Sequence, residues 1–143
     1  MKKNDLIRLE ITGITSEGSG VGRHDGMVVF TPNTAVGDDL TVRIIKTSKN
    51  YCIGKIEEIH NPSPHRIEAD CAVFSQCGGC VFRHITYESE LEFKRQHVND
   101  VLTRIGGFEN LPLHPIVGSE KTDHYRNKAQ LPIGRKKPAT FTL

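Results

Sequence analysis

The sequence predicts a mixed, mainly β chain: a small OB-like β-barrel, then a cysteine-rich segment, one amphipathic helix and the start of an α+β domain. Three observations predict it. Four or five short β-type runs follow one another through residues 1–60, at roughly 8–12-residue spacing and with no helical period. Three of the four cysteines fall between positions 71 and 80. A helical period emerges only after Thr86. Composition agrees, since 36% hydrophobic residues, 6% aromatics and no Trp suit two small cores better than one large one.

The elements follow in order. Leu6–Ile11 carries apolar β-formers with polar interruptions, as a half-buried strand does. Gly20–Arg23 pairs with Met27–Phe30 through an Asp25-Gly26 turn. Leu40–Ile45 alternates again, and Tyr51–Ile59 is the last run. Turn residues separate them at Glu17–Gly20, Pro32-Asn33, Gly37–Asp39 and Ser48–Asn50. Gly18-x-Gly20-x-Gly22 is not a nucleotide loop, because a hairpin and a strand follow it where a dinucleotide fingerprint opens a helix. Glycine at a sharp bend of a barrel strand accounts for it.

Ile11–Ile14, Glu17–Arg23, Val29–Pro32 and Gly37-Asp38, as an ordered set, resemble the TRAM domain over residues 4–60. The resemblance implies an RNA-binding barrel, attached in its family to tRNA- and rRNA-modifying enzymes. Arg23, His24, Lys46, Lys49 and Lys55 are the candidate RNA contacts, each of which could equally be a solvating surface charge.

Beyond a linker-like stretch, Asn61–Arg66, comes Cys71-x5-Cys77-Gly-Gly-Cys80. Two cysteines three apart reach one metal from a single turn, and Gly78 and Gly79 allow the tight backbone. Zinc would find a Cys3His set in Cys71, Cys77, Cys80 and His84. A [4Fe–4S] cluster would need a fourth thiolate. Cys52 lies in a barrel strand and reads as a core residue. A thioredoxin-like pair lacks its βαβ setting.

Asp70-Cys71-x5-Cys77-Gly-Gly-Cys80 directly after such a barrel is similar to the RNA (uracil-5-)-methyltransferase family, which methylates 23S rRNA or tRNA. The resemblance implies a [4Fe–4S] cluster on Cys71, Cys77 and Cys80. In that family a fourth cysteine lies well beyond the third; this chain has none after Cys80. TRAM-bearing radical enzymes use C-x3-C-x2-C and do not match.

Tyr87, Leu91, Val98, Val101, Leu102 and Ile105 fall on one helical face, read as core packing. Thr86 caps its start, and Gly106-Gly107 ends it. The charge is uneven. Residues 1–60 hold eight Lys/Arg and eight Asp/Glu, residues 61–110 five and seven, and residues 111–143 six and two. The basic last third includes Tyr125-Arg126-Asn127-Lys128, similar to the start of the family's central domain, which the resemblance implies helps hold RNA. On a strand Arg126 and Lys128 would share one side, and Tyr125 could stack a base.

A methyltransferase of this family also needs a domain binding S-adenosylmethionine and a cysteine that attacks uracil C6. Neither is in the sequence. The expectation is therefore the N-terminal RNA-recognition and [4Fe–4S] portion of an S-adenosylmethionine-dependent RNA uracil-C5 methyltransferase, rRNA favoured over tRNA, inactive alone. It would be a monomer unless the missing catalytic portion joins it. The alternatives are a free-standing TRAM-type RNA-binding module and a zinc-stabilised interaction protein. No apolar run approaches membrane-spanning length and no signal peptide is evident, which points to the cytoplasm.

The domains expected are 1–60 barrel, 61–84 linker and cysteine segment, and 85–143 helix and truncated central-domain start.

Overall fold

The computed structural model of the chain describes residues 1–128. Six strands form one sheet: β1 (Leu6–Glu10), β2 (Gly13–Ile14), β3 (Gly20–His24), β4 (Met27–Thr31), β5 (Asp39–Thr47) and β6 (Tyr51–Asn61). Their order is β1-β5-β6-β4-β3-β2, antiparallel except for the parallel β4–β6 pair.

The two ends of that order meet. After Glu10 the chain bends, and β2 pairs with β3 while β1 pairs with β5. The Thr12 amide donates to the Val21 carbonyl at 2.9 Å. One bent strand thus joins both edges, and the sheet closes into a small barrel, which leaves few free edges. The two-residue strand β2 is absent from the sequence-level reading, although the closed barrel it completes is the one expected.

Closure explains two glycines. A Cβ on Gly22 would lie 2.5 Å from the Glu10 carbonyl oxygen, and one on Gly20 would lie 1.9 Å from the Thr34 hydroxyl. No side chain fits where β1 crosses β3. At the β3–β4 turn Asp25 and Gly26 have φ of 49° and 78°. Left-handed backbone at both positions matches the twist of a two-residue hairpin.

Alternation decides what goes inside. Ile7, Leu9, Ile11, Val29, Leu40, Val42, Ile44 and Cys52 form the core, with Met1, Met27 and Ile59 packed against it. Each large apolar side chain buried there contributes roughly 1.5–3 kcal/mol. Register shifts along β5 and β6 coil this long pair around the core. Cys52 is fully buried, as a core residue should be.

Two short helices follow: α1 (Phe74–Cys77) and α2 (Tyr87–Asp100). The Thr86 side chain accepts from the Ser89 amide, so the expected N-cap is in place. The single long helix is not. From Val101 to Ile105 the helix widens into a π-turn, with the Gly106 amide donating to the Val101 carbonyl. The apolar face expected to be core is largely solvent-facing: Val98, Val101 and Ile105 are 45%, 39% and 82% exposed. Toward the other end Tyr87 Oη accepts from the Ser119 amide and Phe93 meets His65 edge to face, and in mid-helix Arg95 Nη2 donates to the Leu113 carbonyl.

Candidate nucleic-acid interface and cysteine loop

The barrel's outer cations divide into two groups. Arg8 donates to Asp39 at 2.9 and 2.5 Å, and Arg43 to Glu57 at 2.9 and 2.8 Å. These guanidiniums are already matched, and Arg8 with Asn61 holds the Asp39 carboxyl down at about 2. Arg23, Lys46, Lys49 and Lys55 are exposed and make no ion pair among the described residues. His24 differs from them: its Nδ1 sits 3.2 Å from the Arg8 carbonyl, tying the β3–β4 hairpin to β1.

Sequence reasoning missed two rings beside these cations. Phe30 on β4 and Tyr51 on β6 meet edge to face, centroids 5.7 Å apart. Both are half-buried, on the outer side of strands whose inner positions, Val29 and Cys52, lie in the core. Period-two alternation from those core residues was the signal that would have found them.

A buried network fastens the next segment to the barrel. Asp38 is fully buried. Its Oδ1 accepts from the Ser63 amide and Arg66 Nε, and its Oδ2 from the Ala35 amide and Arg66 Nη2, all within 2.7–2.9 Å. Burial pushes this carboxyl up, but Arg66 and the two amides outweigh it and leave it below its ordinary value. His84 is also buried, with Nε2 3.1 Å from the Thr34 carbonyl and its ring against Phe74 at 5.5 Å. Its Nδ1 has no partner among the described residues. Burial lowers the His84 pKa. Residues 63–66, read as a linker, are therefore docked on the barrel, because a buried carboxylate needs the donors they carry.

Residues 71–80 form a loop closed at its base by Arg83, which donates through Nε and Nη2 to Asp70 and through Nη1 to Asp123. Cys71 is half-buried, while Cys77 and Cys80 are exposed. Gly78 ends α1 in the left-handed conformation, φ 67°, and its Cβ position is open.

The sequence of residues 2–56 matches the TRAM domain family model. Two proteins named uncharacterized RNA methyltransferase align with nearly the whole chain. One, from Bacillus cereus, is 40% identical over 95% of this chain. The other, from Listeria monocytogenes, is 45% identical over 94%. Residues 2–56 are thus similar to the TRAM domain, and nearly the whole chain is similar to part of proteins named RNA methyltransferase. The chain spans 30% and 29% of the length of those two relatives. Among solved structures, Pyrococcus abyssi tRNA (uracil-54, C5)-methyltransferase aligns with 71% of this chain and 22% of its own, at 30% identity and a TM-score of 0.46.

On the barrel the candidate contacts Arg23, Lys46, Lys49 and Lys55 thus make no ion pair among the described residues, although Arg23 Nη1 donates to the Gly26 carbonyl at 3.4 Å, and His24 is engaged. The three cysteines, chemically suited to a soft metal or cluster, share one loop. Among the described residues, however, no three His, Cys, Asp or Glu side chains are grouped to hold a metal ion. For the Cys3His reading, His84 Nε2 faces the barrel carbonyl of Thr34, so only Nδ1 is left as the ring nitrogen that could serve as ligand. Tyr125, Arg126 and Lys128 are exposed and lie in irregular chain, not on the expected strand. Arg126 lies over the Tyr125 ring, 5.9 Å from its centroid. The remaining basic residues Arg135, Lys136 and Lys137 lie outside the described residues. No helix among the described residues is long and apolar enough to cross a membrane.

Proposed function

We propose that this chain is the RNA-recognition and [4Fe–4S]-bearing portion of an S-adenosylmethionine-dependent RNA uracil-C5 methyltransferase, with rRNA as substrate in preference to tRNA. The observation that carries the reading is the sequence Asp70-Cys71-x5-Cys77-Gly-Gly-Cys80 on a loop fastened to a TRAM barrel. Relatedness to proteins named RNA methyltransferases supports it.

In this reading Arg23, Lys46, Lys49 and Lys55 meet RNA phosphates and release their counterions. Tyr125, Arg126 and Lys128 extend the contact beyond the barrel. Cys71, Cys77 and Cys80 would supply three thiolates to the cluster. Cys52 is enclosed in the core, so the fourth ligand comes from outside this chain's cysteines. A [4Fe–4S] cluster supplies a thiolate-held structural or electron-transfer centre. S-adenosylmethionine serves the complete enzyme as methyl donor and is not bound by this chain.

Anaerobic purification followed by iron, sulfide, zinc and absorption analysis tests the reading. Iron and sulfide in equal amounts, with rRNA fragments bound more tightly than tRNA, are expected. One zinc without sulfide would remove the cluster and leave only the RNA-binding module.

A further inference from the structure

Cross-strand register aligns the outer face of the barrel in two rows. Val21 on β3 lies opposite Phe30 on β4, Phe30 opposite Ile53 on β6, and Ile53 opposite Lys46 on β5. In the adjacent row Arg23 lies opposite Val28, and Val28 opposite Tyr51. Val21, Val28, Phe30, Tyr51 and Ile53 are all half-buried, a continuous apolar strip facing outward. Neither row contains a carboxylate. A cation stands at opposite ends of the two rows, Lys46 on one side and Arg23 on the other, and neither is ion-paired among the described residues. The first row crosses four strands, about 14 Å at the usual strand spacing.

We propose that this face is a stacking platform for the unpaired bases of single-stranded RNA, with Phe30 and Tyr51 as the stacking rings and Arg23 and Lys46 as phosphate contacts at its two ends. The proposal rests on the RNA-binding reading above and narrows it to a strand type. Duplex RNA hides its base faces within its own stack and offers only phosphates, riboses and groove edges. An apolar, ring-bearing surface gains nothing from those. Unstacked bases each present an apolar π-face, and flanking cations match the phosphates that join them. The diagonal placement of the two rings, on neighbouring strands and in neighbouring rows, lets successive bases reach separate rings.

Fluorescence anisotropy with a labelled single-stranded oligouridylate of about 12 nucleotides, against a duplex RNA of equal length, decides the matter. The single strand is expected to bind more tightly. Phe30→Leu and Tyr51→Leu should each weaken it about tenfold, without altering the slope of log Kd against log salt. Tyr51→Phe should retain binding. Lys46→Gln should reduce the salt slope by about one. Circular dichroism confirms that each variant is folded, and Tyr51→Leu with Tyr51→Phe decides alone if Phe30→Leu does not fold. Wild-type binding that survives both Leu substitutions unchanged overturns the platform and leaves RNA binding standing. Equal or tighter binding of the duplex overturns it in the same way. Failure of the unaltered chain to bind either RNA overturns both readings.

Discussion

Arg66 grips Asp38 through two parallel hydrogen bonds, Nε to Oδ1 at 2.8 Å and Nη2 to Oδ2 at 2.7 Å, although 28 residues separate them. Asp38 is fully buried and Arg66 partly so, with side-chain exposures of 0% and 18%. Removing one partner strands a charge in the interior. Arg66→Met should therefore cost about 3 kcal/mol of unfolding free energy, read as a lower urea midpoint. Little or no change would mean that the Ala35 and Ser63 amides alone satisfy the carboxylate.

Acid should act in two stages. The folded-state pKa of His84 is lowered, mainly by burial. Below the unfolded value of about 6.5 the unfolded chain takes up a proton that the native chain refuses. Stability is thus full above that pH and falls as pH drops toward the folded pKa. Asp38, also depressed, contributes stability above about 3.9 that is lost as pH falls through its folded pKa. Urea midpoints measured from pH 8 to pH 3 should decline in both ranges. His84→Gln should flatten the first decline and leave the second.

Gly22→Ala should destabilise the barrel by about 1–3 kcal/mol. The obstacle is the Glu10 backbone carbonyl, 2.5 Å from the new methyl carbon, which no rotamer change relieves. Gly26→Ala offers the contrasting control. Its Cβ meets nothing within 4 Å, so the cost there comes from φ of 78° alone. Thermal melts of both variants compare crowding with backbone strain.

Cys77→Ser should abolish bound iron and sulfide while leaving the β-signal in circular dichroism intact, because the barrel core draws nothing from residues 71–80. Arg83→Met should lower metal content partially, since Arg83 ties Asp70 to Asp123 at the base of the loop. Unchanged metal content in Cys77→Ser would remove that thiol from the ligand set.

The strands were legible because a barrel wall needs alternation, and Ile7–Ile11 or Leu40–Ile44 shows it, with Leu6 and Ile45 as exposed exceptions at the ends. Closure was not, because Gly13-Ile14 becomes a strand only through partners at Gly20 and Val21. Asp38 was illegible for a stronger reason. It stands in a Gly-Asp-Asp turn, and its partners stand in a Pro-rich stretch, so both ends look solvated. Burial of a charge is a nonlocal outcome. Helical period showed that α2 has an apolar face, but a period cannot tell whether anything covers it. Cysteine spacing identified one loop, but spacing does not fix the directions of its thiols, and among the described residues they form no grouped metal site. Phe30 and Tyr51 escaped notice because an aromatic in a strand reads as core until its neighbours' directions are known.

The Asp38 network also sets where this barrel can be cut. The TRAM match ends at residue 56, whereas β6 runs on to Asn61 and the donors to Asp38 stand at Ser63 and Arg66. A module transplanted at the family boundary would lose half of its last strand and keep an acid with no counterion. The transferable unit, in protein-engineering terms, extends through at least Arg66, and the peptide leaving it is part of its wall.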